Sequence, residues 1–253
     1  MKPKGSLRKG AKMEFVLKHL HPVKIKEIKP IGNGDRVCLD MMSNFKSGHG
    51  LLVGSYNRSL FLIHCETMPN QFVSKRPARV NAGPVSMYVL CSNFTTKYLN
   101  ELKPGDALFT VDSKGKTSVN TVARSKIEPR PMLLIRGTHR IRGSVIFKLL
   151  YSEGQDYFNG YRSIFHLKER KTGKPISVLD VEKYRNKQTN ICADLDVETI
   201  VQDAETVPLV CRDGRPKSMK QLKPGDRIMA YIQNPELQSR HFGMAYEGFC
   251  LER

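Results

Sequence analysis

The stretch Leu102-Lys103-Pro104-Gly105-Asp106 is followed by the apolar run Ala107-Leu108-Phe109. The same five residues return as Leu222-Lys223-Pro224-Gly225-Asp226, again before an apolar run, Arg227-Ile228-Met229. Proline presets φ at the first position of a turn, and glycine tolerates the left-handed conformation. Each copy therefore predicts a turn that feeds a strand. Two copies are too few for a solenoid, so we expect them to mark pseudo-symmetric halves of one barrel.

Short apolar runs, separated by glycine, proline and polar residues, continue the pattern on both sides. Leu51–Val53 and Leu60–His64 are continuous β-type runs, which favours a buried pair of strands. Asp112-Ser113-Lys114-Gly115 is predicted to be a turn between Ala107–Val111 and an alternating run over Thr117–Lys126. Strands of these lengths with few helical periods predict a mainly β fold, a barrel or sandwich-like domain.

Composition divides the chain of 253 residues into three parts. Residues 1–21 form a basic tail, and residues 22–138 together with 194–253 form the β-rich domain. Residues 139–193 show no clean period and are predicted to be an irregular, basic insertion on the surface. Much of the net charge of +18 is concentrated in two stretches, with nine basic residues against two acidic ones in residues 1–29 and eleven against five in residues 139–193.

Several classes of protein are disfavoured by the composition. The longest apolar runs are far too short to span a bilayer, so no membrane is expected as a partner. No apolar segment follows the basic residues 1–12, so no secretory signal is predicted. The six cysteines are dispersed without a C-x-x-C pair, which indicates reduced thiols and no metal site. We expect a cytoplasmic protein, with an organelle as the other compartment left open.

The first of three polar clusters is His64-Cys65-Glu66, at the end of an apolar run. A histidine and a carboxylate two residues apart in a strand lie on the same face. That arrangement suits a general base and its orienting partner, or two metal ligands. Ordinary polarity at the end of a strand is the alternative interpretation.

The second cluster lies in Lys75–Pro84. Arg76 and Arg79 can bind phosphate or carboxylate oxygens through paired hydrogen bonds, and Asn81 adds a further donor. A solvated basic loop is the alternative.

The third cluster is Arg240-His241-Phe242-Gly243, whose first two side chains can bind an anion or relay a proton, unless they are incidental surface polarity. Lys97 and Lys126 could act as amine nucleophiles or carboxylate clamps, although lysine is usually solvated. The sequence contains no dinucleotide-binding fingerprint, P-loop or nucleophile elbow. Residue chemistry alone therefore predicts a β-rich protein with a candidate anion-binding site and specifies no reaction.

Several longer motifs, taken in order along the chain, resemble the archaeal-type (type II) 3-dehydroquinate synthase family. They are Pro30–Asp40, Gly50–Ser55, Leu60–Thr67, Arg76–Pro84, Thr96–Asp106, Lys126–Pro131, Gln202–Val207 and Arg240–Met244. The resemblance covers residues 22–138 and 196–253. In that family a larger N-terminal α/β half precedes the matched region.

The resemblance implies an NAD-dependent enzyme of aromatic amino-acid biosynthesis, in the shikimate pathway. Its reaction would be the oxidative deamination of a 2-amino-3,7-dideoxy-heptulosonate, followed by cyclisation to 3-dehydroquinate. NAD is the expected cofactor, and no residue is assigned to bind it. Within the matching motifs the candidate catalytic residues are His64, Glu66, Lys126 and His241, and the candidate substrate-binding residues are Arg76, Arg79, Asn81, Lys97 and Arg240.

The competing hypothesis is a catalytically inactive homologue or fragment, acting as a basic β-barrel protein that binds RNA or an acidic partner. The basic tail and insertion favour it. Against it, the sequence shows no aromatic-interleaved RNA-binding signature and no helix-turn-helix pattern. A small sugar acid is thus the preferred partner, nucleic acid is the less favoured one, and no oligomeric state is predicted.

Overall fold

The computed structural model describes residues 16–17, 20–46, 48–57, 59–67, 74–152 and 165–232. Antiparallel strands dominate these residues, which confirms the predicted mainly β fold. The strands are β1 (Leu20–Met41), β2 (Gly50–Tyr56), β3 (Ser59–His64), β4 (Arg79–Pro84), β5 (Tyr88–Leu90), β6 (Thr96–Tyr98), β7 (Ala107–Val111), β8 (Thr117–Arg142), β9 (Phe165–Glu169), β10 (Ile191–Gln202), β11 (Pro208–Val210), β12 (Pro216–Ser218) and β13 (Arg227–Ile232).

Helical structure is confined to short segments. The described residues form one α-helix, α1 (Gly143–Ser152), and two 3₁₀ segments, Leu99–Glu101 and Val178–Asn190. None of these helices is long and apolar enough to cross a membrane.

Two long strands, β1 and β8, form the frame of the sheet. They pair with each other from Lys24 opposite Thr138 to Met41 opposite Val122. On its other edge β1 pairs with β13 near its start and with β4 near its end, while β8 pairs first with β7 and then with β10. Because β13 also pairs with β3, β3 with β2, and β2 with β7, six strands form a closed ring of hydrogen-bonded neighbours.

Strand β3 is buried on both faces. Phe61 and Ile63 join the larger core cluster, whereas Leu60 and Leu62 join a second, smaller one. Successive side chains of a strand point to opposite faces, so a strand between two apolar clusters needs apolar residues at every position. This explains why β3 is a continuous apolar run, and it confirms the predicted buried pair of strands, β2 and β3.

The two Leu-Lys-Pro-Gly-Asp turns adopt the same conformation. Their glycines have φ of +97° and +96°, and strands β7 and β13 follow them as predicted. In each turn the aspartate side chain accepts a hydrogen bond of 2.9 Å from the backbone of the lysine three residues earlier. Each aspartate also accepts one from a lysine side chain nine residues upstream, Lys97 to Asp106 at 2.8 Å and Lys217 to Asp226 at 2.7 Å.

Within residues 139–193 the structure describes 139–152 and 165–193, and most of these residues lie in regular elements. Strand β8 continues to Arg142, β10 already begins at Ile191, and β9 pairs with β10. Ile146 and Phe147 of α1 and Val181 of the second 3₁₀ segment are buried in the larger core cluster. The elements of this block are too short to show a period in the sequence, yet their apolar residues extend the core and their backbones extend the sheet.

Replacing Phe147 by alanine is therefore expected to lower the free energy of unfolding by about 3–5 kcal/mol, because it removes a buried aromatic ring and leaves a cavity. Urea-induced unfolding followed by circular dichroism measures this change. The matched control is Val145→Ala on the same helix, where the valine is 45% exposed and a change within about 0.5 kcal/mol is expected. Equal stabilities for the two variants would show that the block does not pack on the core.

Candidate functional site

A cavity of about 290 Å³ lies where β1, β4, β8 and the end of β10 come together. We call it the basic cavity, because five of its lining residues are cationic and two are acidic. The cationic residues are Arg36, Arg76, Arg79, Lys126 and Arg130, the acidic residues are Glu66 and Glu128, and the others are Cys38, Asn81, Gln202 and Thr206.

Strand register places one polar row from each of three neighbouring strands in the basic cavity. On β8, Glu128 lies opposite Arg36 of β1, and Lys126 lies opposite Cys38. On β4, Asn81 lies opposite the same Cys38. Since alternate residues of a strand face one side, Val37 and Leu39 of β1 turn to the apolar core.

A β-bulge sets the position of Asn81. The register between β1 and β4 shifts at Val37 and Cys38, where one extra residue of β4 is accommodated. Next to it, Gly83 has φ of +132°, and a Cβ atom there would lie 3.0 Å from the carbonyl oxygen of Ile200. Bulges redirect side chains in this way, and here the bulge requires glycine for both conformation and space.

Glu128 organises three of the cations. Its Oε2 accepts hydrogen bonds from Nη2 of Arg36 at 2.7 Å and from Nη2 of Arg130 at 2.9 Å. Nζ of Lys126 lies 2.5 Å from its Oε1. The hydrogen bond from Lys126, with the charges of the two arginines, holds the pKa of Glu128 below its ordinary value. One ionised carboxylate thus fixes three cations, which leaves positive charge in excess.

Asp40 binds the guanidinium group of Arg79. Nε and Nη2 of Arg79 donate to its two carboxylate oxygens at 2.6 and 3.0 Å, and Arg124 donates to the second oxygen as well. The hydrogen bond from Arg79 is the main reason that the pKa of Asp40 is lowered. Nε and Nη2 of Arg79 already donate to Asp40, so these two donors cannot bind the phosphate or carboxylate oxygens of a ligand as predicted. Arg79 therefore contributes a fixed positive charge to the lining of the basic cavity.

Glu66 has a different electrostatic environment from these two carboxylates. Its Oε1 accepts a hydrogen bond of 2.6 Å from Nδ2 of Asn81, which also donates to Oγ1 of Thr206 at 3.1 Å. Nη1 of Arg76 lies 3.9 Å from Oε2, beyond hydrogen-bond distance. Burial raises the pKa of Glu66 despite the nearby arginines. Carboxylates whose pKa values are driven apart can take different roles, and Glu66 is the one suited to exchange a proton.

Among the residues that the structure describes, three buried polar atoms of the basic cavity find no hydrogen-bond partner. They are Nε of Arg36, Oε2 of Glu66 and Oε1 of Gln202. Buried polar groups in folded proteins are nearly always paired, and an unpaired one costs about 1–3 kcal/mol. Three such atoms around one cavity make it a candidate site for a polar ligand.

His64 and Glu66 lie at the end of β3 but are not brought together in the basic cavity. Strand β3 ends at His64, and Glu66 forms an isolated bridge with Arg76. Glu66 lines the basic cavity, whereas the buried ring of His64 has Nδ1 2.8 Å from the carbonyl oxygen of Cys65. Burial lowers the pKa of His64, which favours a neutral ring.

The structure brings five of the nine predicted site residues together: Glu66, Arg76, Arg79, Asn81 and Lys126 line the basic cavity. Lys97 lies elsewhere and binds Asp106 in the first repeated turn. Arg240 and His241 lie outside the described residues. The functional roles of all these residues remain predictions.

Sequence reasoning missed several residues of the basic cavity. They are Arg36, Cys38, Glu128, Arg130 and Gln202. One signal was present: Lys126, Glu128 and Arg130 alternate in the sequence, and alternate residues of a strand share a face. The role of Arg36 depends on which strand lies beside it, and a single sequence does not show that.

Comparison with known proteins identifies the family. The family model for the C-terminal domain of 3-dehydroquinate synthase II matches residues 22–153 and 170–253. This match extends well into the block at 139–193. No solved structure matches the chain.

Curated archaeal proteins named 3-dehydroquinate synthase are similar along most of the chain. The Methanopyrus kandleri protein is 39% identical over 231 residues, which are 91% of this chain and 44% of that protein. The Methanocaldococcus jannaschii protein is 38% identical over 229 residues, 90% of this chain and 48% of that protein. The chain thus spans about half the length of these relatives.

Proposed function

The chain belongs to the type II 3-dehydroquinate synthase family, and on this premise we propose that its basic cavity binds the sugar-acid substrate of the synthase reaction. That substrate is a 2-amino-3,7-dideoxy-heptulosonate, which is oxidatively deaminated with NAD and cyclised to 3-dehydroquinate in the shikimate pathway. The observation that carries the proposal is the cationic surplus of the basic cavity, together with its buried polar atoms that lack a hydrogen-bond partner among the described residues.

The size and lining of the basic cavity suit a small, highly polar acid. Its volume of about 290 Å³ is at the lower end of the range for small-molecule sites. Lys126 and Arg130 have side chains that are 56% and 41% exposed, so each can turn donors toward a ligand while contacting Glu128. Charge-assisted hydrogen bonds of this kind bind carboxylates more strongly than neutral ones do.

Glu66 is the proposed acid–base group. Deamination requires the ammonium group of the substrate to lose a proton, and the aldol-type ring closure removes a proton from a carbon beside a carbonyl. Glu66 suits these transfers, because burial raises its pKa and because Oε2 has no hydrogen-bond partner among the described residues. Lys126 and Arg130 would stabilise the negative charge that develops on the enolate oxygen during ring closure.

The described residues fit NAD poorly. Dinucleotide pyrophosphate is commonly held at a glycine-rich turn from a strand into a helix. In the part of the chain that the structure describes, the one α-helix is α1, which packs on the core and does not line the basic cavity. We therefore propose that NAD, which accepts the hydride, binds mainly to a region of the longer relatives that this chain does not match.

A chimaeric enzyme tests the proposed function. The matched half of the Methanocaldococcus jannaschii relative is replaced by this chain, and NAD reduction is followed at the nicotinamide absorbance with the amino-heptulosonate as substrate. We expect turnover, with 3-dehydroquinate as the product. The intact relative is the positive control, and the same chimaera carrying Arg130→Ala is expected to show a KM raised about tenfold or more, from the loss of a charged hydrogen bond.

A folded chimaera that binds NAD but gives no product would contradict the proposal. In that case the chain would be an inactive homologue, and binding to RNA would become the hypothesis to test through its salt dependence.

A further inference from the structure

A second cavity, of about 400 Å³, lies beside the second Leu-Lys-Pro-Gly-Asp turn and shares no lining residue with the basic cavity. We call it the arginine pocket. Its charged lining residues are Arg212, Asp213, Arg215, Lys217, Asp226 and Arg227. Asp226 ends the repeated turn and Arg227 begins β13, so the arginine pocket belongs to the repeated part of the fold. The proposed reaction uses none of these residues.

Two of the four cations of the arginine pocket are neutralised within it. Nη2 of Arg215 lies 2.6 Å from Oδ2 of Asp213, and Nζ of Lys217 donates to Oδ1 of Asp226 at 2.7 Å. The other two cations, Arg212 and Arg227, have no carboxylate partner in the described part of the chain. Both are exposed, so a ligand can reach them from solvent. The arginine pocket therefore presents two uncompensated positive charges.

The pairing of the backbone places these two arginines side by side. The backbone N–H of Arg212 donates to the carbonyl oxygen of Arg227 at 2.9 Å. On the other side of Arg227, its register partner in β1 is the exposed Lys24. Three cations thus form one row across three neighbouring backbone segments. Like charges opposite each other on paired strands are destabilising, and an anion bound over the row would remove that cost.

The first repeat shows that the fold does not require this row of cations. Residues 91–107 have the same backbone hydrogen bonds as residues 211–227, including the bond that joins the second and last residue of each range, at 2.9 Å in both. The corresponding row of the first repeat is neutral and consists of Ser92, Ala107 and Thr121. The same turn thus forms without the positive charges, which points to a ligand as the reason for them.

A phosphate group matches the arginine pocket in charge and in shape. Arginine binds phosphate oxygens through paired, charge-assisted hydrogen bonds. A phosphate dianion carries as much charge as Arg212 and Arg227 together, whereas a carboxylate carries half of it. The volume of the arginine pocket is in the range of small-molecule sites. A nucleic acid is less favoured, because its described lining includes no aromatic side chain on which a base could stack.

We propose that the arginine pocket binds a phosphate dianion, either as inorganic phosphate or as the phosphate group of a small organic molecule. Arg212 and Arg227 donate to the phosphate oxygens, and Lys24 adds positive charge beside them. The arginine pocket is separate from the basic cavity, so this proposal does not depend on the proposed function.

Isothermal titration calorimetry on the 253-residue chain tests the proposal at low ionic strength and at a pH where the dianion predominates. Inorganic phosphate, glycerol 3-phosphate and acetate are the probes. We expect both phosphates to bind saturably and acetate to bind about tenfold or more weakly, because it carries less charge and fewer acceptor oxygens. Tighter binding of glycerol 3-phosphate would assign the site to an organic phosphate, and equal or weaker binding to the free ion.

The first repeat supplies the variant that locates the site. Arg212→Ser combined with Arg227→Ala installs the residues of the neutral row and should weaken phosphate binding about tenfold or more, from the loss of charged hydrogen bonds. The matched control is Arg170→Ser combined with Lys171→Ala, which removes two exposed cations after β9 and should keep the wild-type affinity. Phosphate should also raise the midpoint of thermal unfolding of the wild type more than that of the first double variant.

Three results would overturn the proposal. The first is a folded chain that binds neither phosphate saturably. The second is equal affinity of the wild type and the Arg212→Ser, Arg227→Ala variant, or weakened binding in Arg130→Ala, since either would place the anion elsewhere. The third is binding of a single-stranded RNA that the double variant abolishes while neither phosphate binds, which would assign the arginine pocket to nucleic acid. None of these results bears on the function proposed for the basic cavity.

Discussion

Replacing Glu66 by glutamine is expected to lower the turnover number of the chimaeric synthase by about 10²–10⁴-fold, the usual effect of removing a general acid–base group. The amide oxygen can still accept the hydrogen bond from Asn81, so the fold and the shape of the basic cavity are preserved. Steady-state kinetics of NAD reduction measure the change, and the affinity for substrate should fall much less than the turnover number.

The pH profile gives a second measure of the same role. Burial raises the pKa of Glu66, so its proton-accepting form is lost at a higher pH than for an ordinary glutamate as the solution is acidified. The acidic limb of the kcat profile should be shifted upward accordingly and should disappear in Glu66→Gln. The control Glu182→Gln removes a surface carboxylate that contacts Arg185 and should leave both kcat and its profile unchanged. A fully active Glu66→Gln enzyme would exclude Glu66 as the proton acceptor.

Replacing Gly50 by alanine is expected to lower the free energy of unfolding by about 3 kcal/mol or more, at or above the upper end of overpacking effects. A Cβ atom at position 50 would lie 1.9 Å from the carbonyl oxygen of Ile63 and 2.9 Å from the Cα of His64, both backbone atoms. Gly50 is the register partner of His64 in the pairing of β2 with β3. The pairing of β2 with β3 closes the ring of strands. Glu66 lies two residues beyond His64 along the chain.

Gly34→Ala is the matched control for this substitution. The nearest atom to a Cβ at position 34 is Cγ of Met132 at 3.4 Å, which belongs to a flexible side chain. We expect a change within about 0.5 kcal/mol in urea-induced unfolding. Gly50→Ala should also weaken substrate binding, because a shift of β3 moves Glu66. Wild-type stability of Gly50→Ala would show that the two strands do not approach as closely as described.

Much of the fold was predictable because local chemistry determines it. The repeated Leu-Lys-Pro-Gly-Asp turns need a rigid φ and a left-handed glycine, and both feed strands as expected. The apolar runs of β2 and β3 are explained by burial on two faces. The block at 139–193 was less predictable, because its short elements are held by contacts distant in sequence. Strand β9 pairs with β10, α1 packs on β8 and β10, and the second 3₁₀ segment packs on β10.

The candidate site was predicted in part, and the gaps have physical causes. Arg76, Arg79 and Asn81 share a local cluster that a sequence shows directly, and they do line the basic cavity. Arg36 and Glu128 are 92 residues apart and meet through the register of β1 and β8, which one sequence does not reveal.

His64 does not line the basic cavity, although Glu66, two residues further along the chain, does. The sequence alone does not show which polar residues at the end of β3 reach the cavity. Lys97 was predicted to bind substrate, but its side chain binds Asp106. Lys217 binds Asp226 in the same way in the second repeat, which marks both lysines as parts of the repeated turns.

The central claim, that the basic cavity binds the substrate, is tested most directly by titrating the amino-heptulosonate into the chain and two arginine variants. We expect saturable binding at one site per chain, weakened about tenfold or more by Arg130→Ala because a charged hydrogen bond is lost. Arg124→Ala lies on the same strand but pairs with Asp40 outside the basic cavity, and it should bind as the wild type does. Absence of saturable binding to the folded chain, or equal affinities of the two variants, would contradict the claim.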